Sequence, residues 1–357
     1  MKIPASLKLY HIMMFKSRFY TLTICLFCGI GLVLILFISS KYLNSSPGSF
    51  IRKIPAHAIE GVNFLALDPS SYYFAGNDED IIYLGNRGRL NELIGVDLKE
   101  KQTKWLTVLA PDSLRVFKDM QLRVDSKCVY LLEGMKSQIW KGDLKDLKIT
   151  DKTNTPGFIA ALTLNNGSLI LKSTKKGEGI LLKQSNKSDQ LKVGKGLLQK
   201  QVDGFFCTDG NLVKVPGANK IFYTYYYRNQ FICADTNLNL LYRGKTIDTV
   251  AHAKIKVASI KSANQITLSA PPVYVNKQST ANEKYLFIHS ALKADNETDD
   301  MHENGAAIDV YAISDGKYKL SFYLPDFNGR KLTDFRVYGQ LLYALYDHYL
   351  YKYQLNF

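Results

Sequence analysis

The chain has 357 residues, of which 46% are apolar and 22% charged, a balance that excludes a disordered or collagen-like polymer and leaves room for a sizeable buried core. Its 46 basic and 32 acidic residues give a formal net charge of +14. No basic stripe or nucleic-acid-binding motif accompanies that excess, so nucleic acid is not an expected partner.

Lys2, Lys8, Lys16 and Arg18 make residues 1–18 a basic tail without an acidic residue, and residues 19–40 (FYTLTICLFCGIGLVLILFISS) then run without a charge. About 20 apolar residues at about 1.5 Å rise each match a hydrocarbon core of roughly 30 Å, so the segment reads as one transmembrane helix. The positive-inside rule holds the tail in the cytoplasm and exports everything after it across the inner membrane. A cleavable signal peptide is the rival reading. Against it, the apolar run exceeds a usual signal h-region and Ile38-Ser39-Ser40 is a poor small-x-small cleavage site.

Residues 41–48, with the run Asn44-Ser45-Ser46-Pro47-Gly48, read as a polar linker into an exported domain over 49–357. Outside residues 1–41 the chain holds 41 basic and 32 acidic residues. That mild excess suits a solvated surface and also attracts anionic partners over distance. The 23 Tyr and 18 Phe, against 2 Trp, favour pleated, half-buried strands.

One pattern then recurs six times: an apolar strand, a short polar turn, and a second strand. The copies are IIYLGN (81–86) with ELIGVDL (92–98), CVYLLEG (128–134) with QIWKGDL (138–144), and SLILKST (168–174) with GILLKQ (179–184). They continue as IFYTYYY (221–227) with QFICADT (230–236), KYLFIHS (284–290) with AIDVYAI (307–313), and LLYALYD (341–347) with YLYKYQL (349–355). More polar outer strands follow at 104–110, 147–153, 240–246 and 319–325, and innermost strands precede at LRVDS (122–126), AALTLNN (160–166), GFFCTDG (204–210) and DFRVYG (334–339).

A strand-rich period near 40–50 residues with four strands per unit predicts an all-β fold, a six-bladed β-propeller preceded by one N-terminal transmembrane helix. The last unit lacks an outer strand, and residues 49–59 are a spare strand that would complete it and close the ring. A β-sandwich or a pair of smaller β-domains is the runner-up, and five or seven blades are the variants. The fifth unit is stretched, with its surplus in residues 246–280 and 294–305, and long loops on a rigid scaffold are the usual carriers of function.

The segment AAIDVYAISDGKYKLSFYLPD (306–326) joins an apolar strand, a Ser-Asp-Gly turn and an aromatic-rich strand ending in proline. In this the chain resembles the TolB-like and NHL-like six-bladed propellers and anchored propeller-like proteins of bacterial envelopes. The resemblance covers about residues 49–357. It implies a platform for binding or assembly more than an enzyme.

No G-x-S-x-G elbow, H-E-x-x-H helix, P-loop or dinucleotide glycine fingerprint is present, so the common hydrolase, zinc-protease and nucleotide readings have no support and no cofactor is expected. Cys128, Cys207 and Cys233 sit in apolar segments and read as buried free thiols. Asp295, Glu297, Asp299 and Asp300 are dense enough in hard oxygen ligands to hold Ca²⁺, although a solvated acidic loop is the expected state. The candidate ligand-binding residues are Tyr227 and Arg228 at a tight turn, with His252, Lys254 and Lys256 shortly after it. Aromatic faces and cations together grip sugars or anions. The competing expectation packs the tyrosines between sheets and turns the lysines outward.

Three functions fit: a binding or scaffolding module for a protein, peptide or glycan; a propeller-type enzyme with a dispersed metal or quinone site; and an accessory or sensor subunit of an envelope membrane complex.

Overall fold

The computed structural model describes residues 20–37, 39, 50–78, 80–97, 102–111, 120–186, 190–260 and 265–357. The chain divides into two units, Met1–Pro47 and Gly48–Phe357. In the first, helix α1 (Tyr20–Phe37) exposes its leucines, isoleucines and phenylalanines on all sides, among them Leu22, Ile24, Phe27 and Leu36. By length and composition it is able to cross a bilayer, as expected for 19–40. The expected tail (1–18) and linker (41–48) lie outside the described residues.

The second unit is built of strands. Sheet 1 is β2 (Tyr72–Asp78), β3 (Ile81–Asn86), β4 (Glu92–Asp97) and β5 (Gln102–Thr107), and sheet 2 is β6 (Gln121–Asp125), β7 (Cys128–Glu133), β8 (Gln138–Asp143) and β9 (Ile149–Asn154). Sheet 3 is β10 (Phe158–Thr163), β11 (Leu169–Lys175), β12 (Glu178–Gln184) and β13 (Leu191–Val193), and sheet 4 is β14 (Gly210–Lys214), β15 (Lys220–Tyr225), β16 (Gln230–Asp235) and β17 (Leu240–Lys245). Sheet 5 is β20 (Asn276–Ala281), β21 (Tyr285–Ser290), β22 (Gly305–Ala312) and β23 (Tyr318–Pro325). In sheet 6, β24 (Asp334–Tyr338), β25 (Leu341–Tyr346) and β26 (Tyr349–Leu355) are joined by β1 (Ile59–Ala66), the first strand of the unit. All six are antiparallel meanders. The hairpin β18 (Val257–Ile260) and β19 (Gln265–Leu268) stands apart within the expected insertion at 246–280.

The second strands are buried on both faces, which is why they read as unbroken apolar runs, whereas outer strands such as β5 and β9 are almost wholly exposed. Apolar clusters fill the space between each sheet and the next. Leu131 and Leu93 pack sheet 2 on sheet 1, Leu171 and Leu132 sheet 3 on sheet 2, and Ile221 and Ile170 sheet 4 on sheet 3. Leu286 and Phe222 pack sheet 5 on sheet 4, Phe335 and Phe287 sheet 6 on sheet 5, and Tyr343 and Phe74 bring sheet 6 against sheet 1.

Sheets 1 and 2 are also joined by a parallel pairing of Gly76 with Val124. Gly76 has φ +155°, and a Cβ there would stand 1.9 Å from the Val124 carbonyl oxygen. Gly76→Ala is therefore expected to cost about 2–4 kcal/mol, since backbone on both sides must shift. Thermal unfolding checks this, and an unchanged midpoint would mean the seam is not tight.

Two expected strands are corrected. Residues 204–210 do not form the innermost strand of sheet 4. The Asp203 carboxylate accepts the backbone N–H groups of Phe205, Phe206 and Cys207, which curls the chain into a 3-10 turn at Phe206–Thr208, and β14 begins only at Gly210. Residues 49–59 do not supply the strand that completes sheet 6. The first strand of the unit does so, but it is β1, because residues 50–54 form a strap held by side chains: Phe50 and Arg52 are buried, and the Lys53 carbonyl accepts from the Ser321 N–H. The inner strand β20 and the outer strand β13 carry too little apolar pattern to stand out in the sequence, whereas β2 opens with the aromatic run Tyr72-Tyr73-Phe74.

Candidate functional site

The first strands of the six sheets, β2, β6, β10, β14, β20 and β24, surround a cavity of about 790 Å³ and each contributes to its wall. The exposed Met135 and the neighbouring Phe158 and Ile159 also line it. Tyr226 lines the cavity, and its carbonyl accepts the N–H groups of Val275 and Asn276, so the 246–275 insertion borders the opening.

The charged wall residues are Arg87, Arg123, Lys172, Lys214 and Arg336 against Asp125 and Asp209. Lys214 donates to Asp125 at 2.6 Å and to the Thr163 carbonyl at 3.2 Å, which ties sheet 4 to sheets 2 and 3. Lys172 is 1% exposed, with its Nζ 3.9 Å from Asp209 Oδ1 and 3.4 Å from Thr208 Oγ1. Its ammonium occupies the space beside Gly179, where a Cβ would stand 2.2 Å from Nζ. Burial lowers the Lys172 pKa, and burial pushes Asp209 up to about 6 although Lys172 opposes the shift.

Across the cavity, Arg123 of β6 and Arg336 of β24 come from the sheets on either side of sheet 1 and meet over β2. Arg123 Nη1 donates to the Phe74 carbonyl at 2.6 Å, and the Arg336 guanidinium lies 5.8 Å from the Phe74 ring centroid. Arg336 Nη1 also donates to Asp334 Oδ1 at 2.8 Å, and the other Asp334 oxygen accepts the Phe74 N–H. Burial and the facing Arg336 lower the Arg123 pKa. Tyr338 faces both arginines, with its hydroxyl pushed up to about 12 chiefly by burial. Arg87 and Arg123 both approach the Tyr73 ring, at 5.2 and 5.9 Å from its centroid.

The candidates from the sequence are placed as follows. Arg228 is 1% exposed, stacked 3.6 Å from the Tyr225 ring centroid, and donates from Nη2 to the Gln199 carbonyl at 2.8 Å. Tyr227 is buried in an apolar cluster with Cys207, Ala253 and Ile255, so the two segments do meet. His252, Lys254 and Lys256 alternate with Ala253 and Ile255 and are exposed. Tyr227 and Arg228 thus face the interior, while the three cationic candidates face solvent.

Glu297 is no part of a solvated loop, which corrects that expectation. It is buried against the Arg52 guanidinium and accepts from the Tyr323 hydroxyl. Asp299 opens the short helix α2 (Asp299–Glu303), capped by Thr298, and pairs with Lys293 at 2.7 Å. Asp300 accepts from the Asn304 amide, and Asp295 is exposed. Among the described residues no group of three or more His, Cys, Asp or Glu is placed to hold a metal. Cys207 and Cys233 are buried free thiols, and Cys128 is half-buried and free.

The class of protein is therefore an all-β domain of four-stranded sheets around a cavity of mixed polar and apolar lining, with an N-terminal apolar helix. No protein-family model matches the sequence, and no curated protein is significantly similar to it. Among solved structures, the chain is similar to a member of the DUF4221 family from Bacteroides vulgatus, with a TM-score of 0.52 and 12% identity over 85% of this chain and 99% of that one. It is also similar to a protein of Bacteroides fragilis described as exported, with a TM-score of 0.51 and 11% identity over 87% and 98%. A third similarity, to the Swd1 β-propeller domain of Myceliophteria thermophila, has a TM-score of 0.45 and 10% identity over 84% and 100%. At these identities the likeness to the two Bacteroides proteins is one of fold.

Proposed function

We propose that the protein is a binding module of the bacterial envelope: a six-bladed β-propeller of TolB-like or NHL-like type, held to the inner membrane by residues 19–40 and taking a protein, peptide or glycan at the mouth of its central cavity. The observation that carries this reading is the cavity of about 790 Å³, walled by the first strand of every sheet. The ring reading is supported by the cyclic order of the apolar clusters and by the placing of β1 in the last sheet. The basic tail supports an N-in orientation, and one structural neighbour is described as exported. The insertion that bears His252, Lys254 and Lys256 borders the opening and extends the proposed surface with exposed cations. Propellers of this kind bind through the face of a rigid ring, which needs no catalytic motif.

The test is photocrosslinking in intact cells that express the full chain, with a photoreactive amino acid in place of Met135 in the cavity lining or Leu241 on the outer strand β17. Covalent adducts from the Met135 position alone are expected. Equal capture at both positions, or capture only at the outer strand, would place the binding surface elsewhere.

A further inference from the structure

We propose that the Arg123–Arg336–Tyr338 corner of the cavity is an anion site, which seats a carboxylate or phosphate group of the ligand. This rests on the reading of the cavity as the binding site and adds the chemistry that the ligand must carry.

Three facts about the corner point the same way. First, two guanidinium groups from separate sheets converge over one strand although like charges repel, and β2 offers no carboxylate between them. Asp334 pairs with Arg336 and leaves the corner with one net positive charge, on Arg123, which holds no ion-pair partner among the described residues. Second, Lys214 pairs with Asp125, Lys172 with Asp209 and Arg336 with Asp334, so the excess positive charge of the wall falls on Arg123 and Arg87, both beside the Tyr73 ring. Third, Tyr73 of β2, whose ring both Arg87 and Arg123 approach, lines the cavity beside them.

Arg123 spends one hydrogen bond on the Phe74 carbonyl and a long one of 3.5 Å on Gln121, which leaves donors of its planar fork for a bidentate contact. Tyr338, two residues from Arg336, also lines the cavity and brings a hydroxyl to the same strand. Sugar acids, peptide C-termini and phosphate monoesters share the group that such a corner recognises. An anion would also remove the repulsion between the arginines, so ligand binding should stabilise the fold by mass action.

The experiment uses the full chain in a non-ionic detergent, titrated with inorganic phosphate and, separately, with glucuronate. Chloride is adjusted to hold ionic strength constant, and calorimetric titration and thermal unfolding are the readouts. Saturable binding of at least one anion beyond chloride is expected. Arg123→Gln, which removes no ion pair, should weaken it at least about tenfold, and Tyr338→Phe about threefold. Arg123→Lys should retain part of the affinity, and Lys104→Gln, on the exposed outer strand β5, should leave it unchanged.

Phosphate alone would identify a phosphate monoester as the ligand group, and glucuronate alone a carboxylate; either supports the proposal. It is overturned if neither anion exceeds chloride, or if Arg123→Gln with an unchanged circular dichroism spectrum binds like the parent chain. Adducts at Met135 together with absence of anion binding would sink this inference and leave the cavity reading standing. Loss of the adducts would sink the cavity reading itself.

Discussion

Arg52→Met is expected to destabilise the domain by about 3–5 kcal/mol at neutral pH, because it strands two buried carboxylates. Arg52 is 2% exposed, and its Nε and Nη2 donate to the two oxygens of Asp309 at 2.8 and 3.2 Å. Its Nη1 donates to the Leu292 carbonyl at 3.1 Å and to Glu297. The Ser321 and Tyr323 hydroxyls complete the cluster, so methionine would leave Asp309 and Glu297 with neutral donors only. Carboxylates stranded by burial take up protons on folding, so the deficit of the variant should shrink as pH falls from 7 to 5. Urea denaturation at both values reads the effect. A variant that matches the parent at pH 7 would show that the strap is not held by this cluster.

The second large effect belongs to His289, which lies in β21 and is 7% exposed. Burial, reinforced by Lys277 and Arg52, pushes its pKa down to about 3 from an ordinary 6.5. A folded-state pKa below the unfolded one means that the stability is fully present above about pH 6.5 and is lost as pH falls toward 3. At about 1.4 kcal/mol per pH unit, the loss across that window is on the order of 5 kcal/mol. Asp209 works in the opposite sense between about pH 4 and 6, since its raised pKa makes the folded chain hold a proton there. The comparison of His289→Gln with the parent isolates the histidine. The variant should keep most of the stability that the parent loses below pH 6.5, and parallel acid limbs for the two proteins would refute the assignment.

Burial explains what the sequence made legible. The central strands of each sheet are covered on both faces, so their apolar runs at 81–86, 128–133, 221–225 and 341–346 stand out against polar turns. β20 was hidden because it begins with Asn276, Lys277 and Gln278, whereas β2 opens on a legible aromatic run, Tyr72-Tyr73-Phe74, that breaks off at Gly76 and Asn77. The strap misled for another reason. SFIRKIPAHAI alternates like a strand, but a buried Arg52 with two acidic partners some 250 residues away is invisible to periodicity.

The candidate site was legible only in part. Tyr227 and Arg228 form a dense aromatic and cationic turn, yet density alone does not say which face the side chains take, and both turned inward. The arginines of the cavity were present in a weaker signal: LRVD (122–125) and FRVY (335–338) place Arg123 and Arg336 at the same position of two innermost strands. A repeat that keeps a charge at one position on its cavity-facing strand is a better guide than a local cluster.

The pairing of β1 with β26, which joins Ile59 to Leu355, bears on how such a chain matures. A strand made early has no hydrogen-bonding partner until β26 has been synthesised. Until then its edge is available to other chains, and contacts of such long sequence separation form slowly. Sheet 6 is thus a completion check. A product cut short before Tyr349 would keep β1 unpaired and present proteases with an open edge, whereas a product that includes β26 seals it.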